Sequence, residues 1–331
     1  MSEIVQSFSD RIVSMIEQAK QNVVNNINSE LIKLYLNIGE YLSVESRKAS
    51  WGEGYIVSVA QDIKERCPDM KGFNRRGLER MRQFYETYKD NEFASALLTQ
   101  IGWANHLLIL SGAKTIEEKE FYMGLCVKEK YTYRELDRQM RSAYFHRYML
   151  SEHSDSKTGV LKDRNVNILD YYALDFLDLP EKHSENDLQK AIIKNLKSFI
   201  LEIGKDFSFV GENCRVQVGK SDFFIDLLFF HRELQCLVAF ELKIDKFQPE
   251  YLGKMDFYLE ALDREHKKPN ENPSIGVILC TDKDDDVVEI AMSRSLSPLM
   301  IAEYKMKLID KKLLEQKLKE FRNMLVEMEE L

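Results

Sequence analysis

An α+β chain is predicted: a mainly α-helical N-terminal domain, then an α/β domain with a central mixed β-sheet. Three observations predict it. Over residues 1–150 apolar side chains recur at three- and four-residue steps, the period of a helix face. After residue 184 helical stretches alternate with apolar runs of strand length. Between the two, Ser151 to Asn167 is polar, contains Gly159 and has no apolar period, so it reads as a linker. The expected boundaries are 1–150, then 151–183 for linker and anchor, then 184–331. Leu174, Phe176, Leu177 and Leu179 form the apolar anchor, which closes at Pro180. The length of 331 residues fits about two domains.

In the first domain Ile12, Met15, Ile16, Ala19, Val23, Ile27, Leu31, Leu34 and Ile38 make one stripe. Gly52 and Gly54 interrupt it, and a helix of about a dozen residues then runs to Cys67-Pro68, where proline cannot continue it. Asn74 suits the N-cap of the next helix, which carries Arg75, Arg76, Arg80 and Arg82. Two helices across a turn, the second rich in arginine, read either as a helix-turn-helix-like DNA reader or as a solvated basic face. The turn is longer than in a standard motif. A further helix after Thr132 holds Arg134, Arg138 and Arg141, placed to extend a phosphate-contacting face or to pair with Glu135 and Asp137. Residues 71–150 carry fourteen Lys and Arg against ten Asp and Glu, about +4, in a chain whose net charge is −8.

The second domain opens with a helix over 184–203, Leu188, Ile192, Leu196 and Phe199 facing inward, ending near Gly204. Strands are expected over 207–218, 222–230 and 235–243. A helix from Pro249 to about Leu262 crosses to a strand at 274–280, and Met300 to Tyr304 supplies another. The last helix, 310–330, has Leu314, Leu318, Phe321, Leu325 and Met328 at alternating four- and three-residue steps. That stripe serves packing onto its own domain or a coiled coil, and with the N-terminal stripe it raises a homodimer.

Composition removes several classes. No apolar run approaches the roughly 20 residues of a membrane span, and Met1-Ser2-Glu3 lacks the layout of a secretory signal. Five scattered cysteines without C-x-x-C spacing read as reduced thiols in a cytoplasmic protein, with no zinc site. Gly-rich phosphate loops, a nucleophile elbow and internal repeats are not found, and no small-molecule cofactor is indicated.

The chemistry gathers in one hairpin. Phe223 to Phe230 is apolar apart from Asp226, and the next apolar run contains Glu241-Leu242-Lys243. A turn centred on Glu233 and Leu234 sets Asp226 opposite Glu241, because cross-strand partners keep a constant index sum. Alternation then puts Glu241 and Lys243 on one face. Two carboxylates and an amine inside apolar strands cost several kcal/mol, roughly, unless something offsets them. Either Lys243 forms a structural ion pair with the acids, or Asp226 and Glu241 hold a hard divalent cation, Mg²⁺ or Mn²⁺, with Lys243 beside it.

An Asp on one strand and Glu-x-Lys on the next resembles the active site of PD-(D/E)XK nucleases. Asp226 to Arg232, Leu237 to Lys243, Phe247 to Met255 and Ser274 to Cys280 are similar to the nuclease domain of the YhcG-like family of bacterial proteins. Gly72-Phe73-Asn74, Met81 to Tyr85, Ile101-Gly102-Trp103 and Asn105-His106-Leu107 are similar to that family's N-terminal domain. The resemblance covers most of the chain in order. It implies a restriction-endonuclease-like fold and Mg²⁺-dependent hydrolysis of phosphodiester bonds, most readily in DNA, with Asp226, Glu241 and Lys243 catalytic. It also implies a winged-helix-like N-terminal domain and a setting in genome defence, mobile-element control or repair.

The chain departs from the family pattern where Gln189 stands for a helix glutamate, and where Glu212 and Asn213 replace an Arg-Gln pair. Glu185, one helical turn earlier, is a candidate substitute. Tyr251 and Lys254, starting the crossover helix, are candidate phosphate or substrate contacts. The departures motivate a rival reading, a non-catalytic DNA-binding or protein-interaction module on a nuclease fold. A ribonuclease is a third.

Overall fold

A computed structural model describes residues 27–46, 54–69, 71–152, 169–180, 182–308 and 310–319. The expected linker Ser151–Asn167, most of the N-terminal stripe, and Phe321, Leu325 and Met328 of the last helix lie outside these residues, apart from 151 and 152. The chain divides into two compact units, Met1–Asp137 and Arg138–Leu331.

The first unit is helical: α1 over 27–46, α2 Gly54–Arg66, α3 Arg75–Tyr88, α4 Glu92–Leu97, α5 Trp103–Gly112, α6 Ile116–Glu129 and α7 Tyr133–Arg141, which crosses the boundary. Among the described residues it has no strand, so a β wing is not among them. The Asn74 side chain accepts from the Gly77 N–H at 2.9 Å, capping α3 as its position predicts. Gly77 is required there, since a Cβ would stand 1.8 Å from the Gly72 carbonyl oxygen. Thr132 and Glu135 exchange capping bonds at the start of α7. The core joins Tyr35, Phe84, Trp103 and His106, with ring centroids 4.5–5.2 Å apart. Burial pushes His106 down to about 4, and its Nε2 faces the Leu98 carbonyl at 2.8 Å. This histidine is a neutral core residue. On α1 the buried face is Ile32, Tyr35, Gly39 and Leu42, one step round from the stripe read in the sequence. Ile27 and Leu34 of that stripe are exposed.

The second unit begins with α8 (Tyr144–Glu152) and β1 (Tyr171–Ala173). The expected single helix 184–203 is two, α9 (Glu185–Lys194) and α10 (Leu196–Ile203). Asn195 breaks it: its side chain donates to the Ala191 carbonyl at 3.0 Å, competing with the helical ladder. Then follow β2 (Phe207–Val218), β3 (Ser221–His231), β4 (Cys236–Leu242), α11 (Glu250–Glu265), β5 (Ile275–Cys280), α12 (Asp285–Met292), β6 (Leu299–Lys305) and a helix, α13, over 311–319. The six strands form one mixed sheet in the order β1-β6-β5-β4-β3-β2. The first four in that order run parallel and β3 and β2 antiparallel, so the sheet is a hairpin arm joined to a crossover half.

Both faces of the sheet are apolar at β4, β5 and β6, which are buried almost throughout because each side packs against other elements, while β2 is largely exposed. One carries Phe199, Phe207, Phe229 and Phe240, centroids 5.4–6.1 Å apart. Replacing Phe229 or Phe240 by Ala would cost about 3–5 kcal/mol. The other packs α11, through Leu252, Met255, Leu259 and Leu262, on Ala239, Ile278 and Ile301. Gly276 lets α11 sit close, since a Cβ there would meet Met255 at 2.5 Å. Strand β1 and helix α12 fall in stretches with no apolar period to read.

Away from the sheet centre, Arg147 is buried beside Glu202, to which its Nη1 donates. It also donates to the carbonyls of Ser142 and Tyr171 at 2.9 and 2.8 Å. Glu202 accepts the Ala173 N–H at 2.7 Å, so the pair ties α8, α10 and β1 together.

Candidate active site

The hairpin register runs Leu227↔Phe240 through His231↔Cys236. One step further along it, Asp226 lies opposite Glu241. The turn residue Gln235 takes a left-handed φ of +49°, and His231 Nδ1 accepts the Leu234 N–H at 3.2 Å, so this histidine closes the turn. The other neighbour of β3 bulges at Val210. Past that bulge Asn213 lies across from Asp226 with φ +46°.

Asp226 is partly buried, and its Oδ2 accepts the Leu242 N–H at 2.7 Å. Burial, then the charge of Glu241, pushes its carboxyl up to about 6, against the lowering effect of that hydrogen bond and of Lys254 and Lys243. Glu241 is 1% exposed. Its Oε1 takes Lys254 Nζ at 2.5 Å and Lys243 Nζ at 3.0 Å. Its Oε2 is buried with no hydrogen-bond partner. Lys243 Nζ also reaches Glu185 Oε1 at 3.0 Å and sits 5.3 Å from the Tyr251 ring centre. Burial alone would lower the Lys243 ammonium, but the bonds to Glu185 and Glu241 outweigh it and hold the amine well above its usual range. Tyr251 donates to Asp245 Oδ2 at 2.8 Å. Its burial and that bond push its hydroxyl up to about 12.

The structure therefore brings Asp226, Glu241, Lys243, Glu185, Tyr251 and Lys254 together. Gln189 is adjacent but turned away: its amide nitrogen donates to the Asp226 carbonyl at 2.7 Å, and its oxygen accepts from Asn213 at 3.4 Å. It braces the backbone under Asp226. Sequence reasoning did not connect Lys254 to Glu241, or Asp245 to Tyr251. The first link was legible only as a lysine one helical turn inside the crossover helix, since register through a loop and helix cannot be counted as it can in a hairpin.

The arginines are scattered in role. Arg138 pairs with Asp175 at 2.6 Å and donates to the Ala173 carbonyl at 3.0 Å, its side chain 21% exposed. That places it in a structural contact rather than on a phosphate-facing surface. Arg75 pairs with Glu79 at 2.8 Å and Arg82 approaches Glu86 at 3.9 Å. Arg76, Arg134 and Arg141 are exposed and Arg80 is half-buried.

Whether a divalent metal fits can be asked of these atoms. Among the described residues no group of three or more His, Cys, Asp and Glu side chains forms a metal cage. Two hard carboxylates, one with a buried oxygen lacking a partner, do suit an ion that keeps most of its shell for water and substrate oxygens, as Mg²⁺ does. Among the described residues no helix is long and apolar enough to cross a membrane.

Residues 165–319 match the family described as the YhcG PDDEXK nuclease domain, and residues 11–147 match the DUF1016 N-terminal domain. The "Putative nuclease YhcG" of Escherichia coli (strain K12) is 28% identical, over 95% of this chain and 93% of the relative. Among solved structures, a repair endonuclease from Pyrococcus abyssi is 14% identical over 38% of this chain and 49% of its own, with TM-score 0.27. A structure of an EndoMS complex with double-stranded DNA is 15% identical over 38% and 47%, with TM-score 0.28. The match thus spans about half of each of those two chains.

Proposed function

Because the chain belongs to the family that joins a DUF1016 N-terminal domain to a YhcG PDDEXK nuclease domain, we propose that it is a divalent-metal-dependent nuclease hydrolysing phosphodiester bonds in DNA. The observation that carries this reading is the convergence of Asp226, Glu241 and Lys243 inside a buried hairpin, with Glu241 Oε2 lacking a partner. Asp226 and Glu241 would hold Mg²⁺ or Mn²⁺, which when bound supplies Lewis-acid polarisation of water and phosphate.

The protein's own groups do the rest. The Lys243 ammonium, held charged by Glu185 and Glu241, orients the attacking water and screens charge growing on the phosphate oxygens. As the water oxygen attacks phosphorus and the bond to the leaving oxygen breaks in line, the water's proton passes to Glu241 or to solvent and the leaving oxygen takes up a proton from solvent. Tyr251 limits the motion of Lys243 by stacking beneath it. The first unit would position DNA through Arg76 and Arg80 of α3, with Arg75, Arg82 and Arg134 as weaker contacts, and Arg141, at the start of the second unit, would add another. The exposed Ile27 and Leu34 on α1 favour a homodimer through a second copy of that helix, checked by light scattering of the L34E variant. A cytoplasmic setting fits five free thiols, and a role in genome defence, mobile-element control or repair is what the family resemblance suggests.

The rival is a binding module with an impaired centre. Gln189 favours it, because its oxygen faces Asn213 and adds no third ligand. Cleavage of supercoiled, linear, single-stranded and branched DNA by wild type and Lys243→Ala, with Mg²⁺, Mn²⁺ or EDTA, separates the two. The proposal expects metal-dependent cutting that the variant loses. Equal background in every lane with DNA binding intact would leave the module.

A further inference from the structure

Glu241 Oε1 receives two ammonium groups, Lys254 Nζ at 2.5 Å and Lys243 Nζ at 3.0 Å. The two lysines are not equivalent. Lys243 has a second carboxylate, Glu185 at 3.0 Å, an aromatic face at 5.3 Å, and a side chain only 11% exposed. Lys254 has Glu241 as its carboxylate partner, also hydrogen-bonds the Tyr258 hydroxyl with its ammonium 5.3 Å from that ring's centre, and is 46% exposed along its side chain. It stands on α11, whose backbone is fixed by burial of Met255 and Leu252 either side of it, so only its flexible stem need move.

We infer that Lys254 is a tethered cation that occupies Glu241 in the metal-free protein and leaves it when a divalent ion loads. The inference rests on the metal reading of Asp226 and Glu241 and adds to it a residue and an order of events. The reason is charge. A carboxylate already facing two ammonium groups in a buried setting cannot accept a dication beside it without shedding one, because like charges a few ångströms apart repel strongly where water is scarce. Lys243 is anchored from three sides; Lys254 has an open route to solvent. Its ammonium thus fills the centre while no metal is present, sparing Glu241 an uncompensated buried charge. Once displaced, it remains on a short tether at the rim.

Two measurements on the full chain test this. Mn²⁺ titration followed by electron paramagnetic resonance compares wild type, Lys254→Met and Lys246→Met. Lys246, paired with Asp284 at 3.4 Å and half exposed, gives the effect of removing a nearby charge that does not sit on Glu241. Lys254→Met should bind Mn²⁺ about tenfold more tightly than wild type, and clearly more tightly than Lys246→Met. Lysine acylation of wild type, read by mass spectrometry, should label Lys254 faster with Mn²⁺ than with EDTA while Lys246 is unchanged; this arm needs no variant to fold. Affinity of Lys254→Met no better than Lys246→Met, or Lys254 labelling indifferent to Mn²⁺, overturns the inference. If wild type binds Mn²⁺ and Asp226→Asn abolishes it, the metal reading survives that failure. If wild type binds no Mn²⁺, both fall together.

Discussion

Two buried charge clusters in the second unit invite comparison. Arg147 with Glu202 and Asp226 with Glu241, Lys243 and Lys254 each surround an acid that is about 1% exposed with two basic groups. In the first, the guanidinium spends its donors on Glu202, two backbone carbonyls and the Ser142 hydroxyl at 2.8 Å. Glu202 Oε2 lacks a hydrogen bond, but the second guanidinium, Arg138, stands 4.0 Å away and is itself satisfied by Asp175. In the second, the cations are lysines, which are single-point donors on long stems. Burial, then the charge of Glu241 beside it, pushes Asp226 up to about 6 there. Planar, permanently charged arginine builds a lock; lysine against surplus carboxylate leaves a centre able to exchange its cation. The difference teaches that burial of charge alone does not mark a site: what marks it is charge left imperfectly answered.

The largest expected effect breaks the lock. Arg147→Ala should destabilise the second unit by about 3–5 kcal/mol, because Glu202 is then left buried without its partner. Urea denaturation checks this, and a loss under about 1 kcal/mol would show that the two clusters are not so different. At the hairpin the opposite holds. Lys243→Ala or Asp226→Asn should reduce cleavage by about a hundredfold or more, with the fold kept.

The sign of the pH effect follows from Asp226. Its folded value, about 6, lies above the ordinary 3.8, so the native state holds a proton that the unfolded chain releases. Its contribution to metal-free stability is therefore full below about pH 4 and is lost as pH rises through about 6, on the order of 1–3 kcal/mol. Asp226→Asn should flatten that part of the profile and be the more stable protein at pH 7. A slope identical in the two proteins would remove this explanation.

How much of this was legible in the sequence depends on the range of the contact. The hairpin was readable because a strand alternates strictly and a tight turn sets register by counting, so Asp226, Glu241 and Lys243 could be brought together from spacing alone. The cap at Asn74 was readable for the same local reason. The break at Asn195 was hidden, because apolar spacing continues through it and only one side chain's choice of carbonyl decides it. Arg138 looked like its neighbours on a helix surface, yet its partner, Asp175, is distant in sequence and reachable only through the fold. Lys254 was a candidate contact in the sequence, but its pairing with Glu241, like the Arg147 lock, was hidden for that reason too.

A smaller effect sharpens the comparison at Gln189. Gln189→Glu replaces a donor to the Asp226 carbonyl with an acceptor, so the metal-free protein should lose about 1–3 kcal/mol. The added carboxylate should at the same time tighten Mn²⁺ binding, measured by titration. Smallest of all, Arg76→Ala and Arg80→Ala should shift stability by less than about 0.5 kcal/mol. Each should lower the salt dependence of DNA binding by about one unit of slope if α3 contacts phosphate.

The most direct measurement is cleavage of mixed DNA forms by wild type and Lys243→Ala, both shown folded by denaturation, in Mn²⁺ and in EDTA. Cutting by wild type in Mn²⁺ alone, absent from the variant at equal stability, is the predicted result. Cutting that persists in the variant or in EDTA would contradict the assignment of this lysine and its two carboxylates as a metal-dependent nuclease centre.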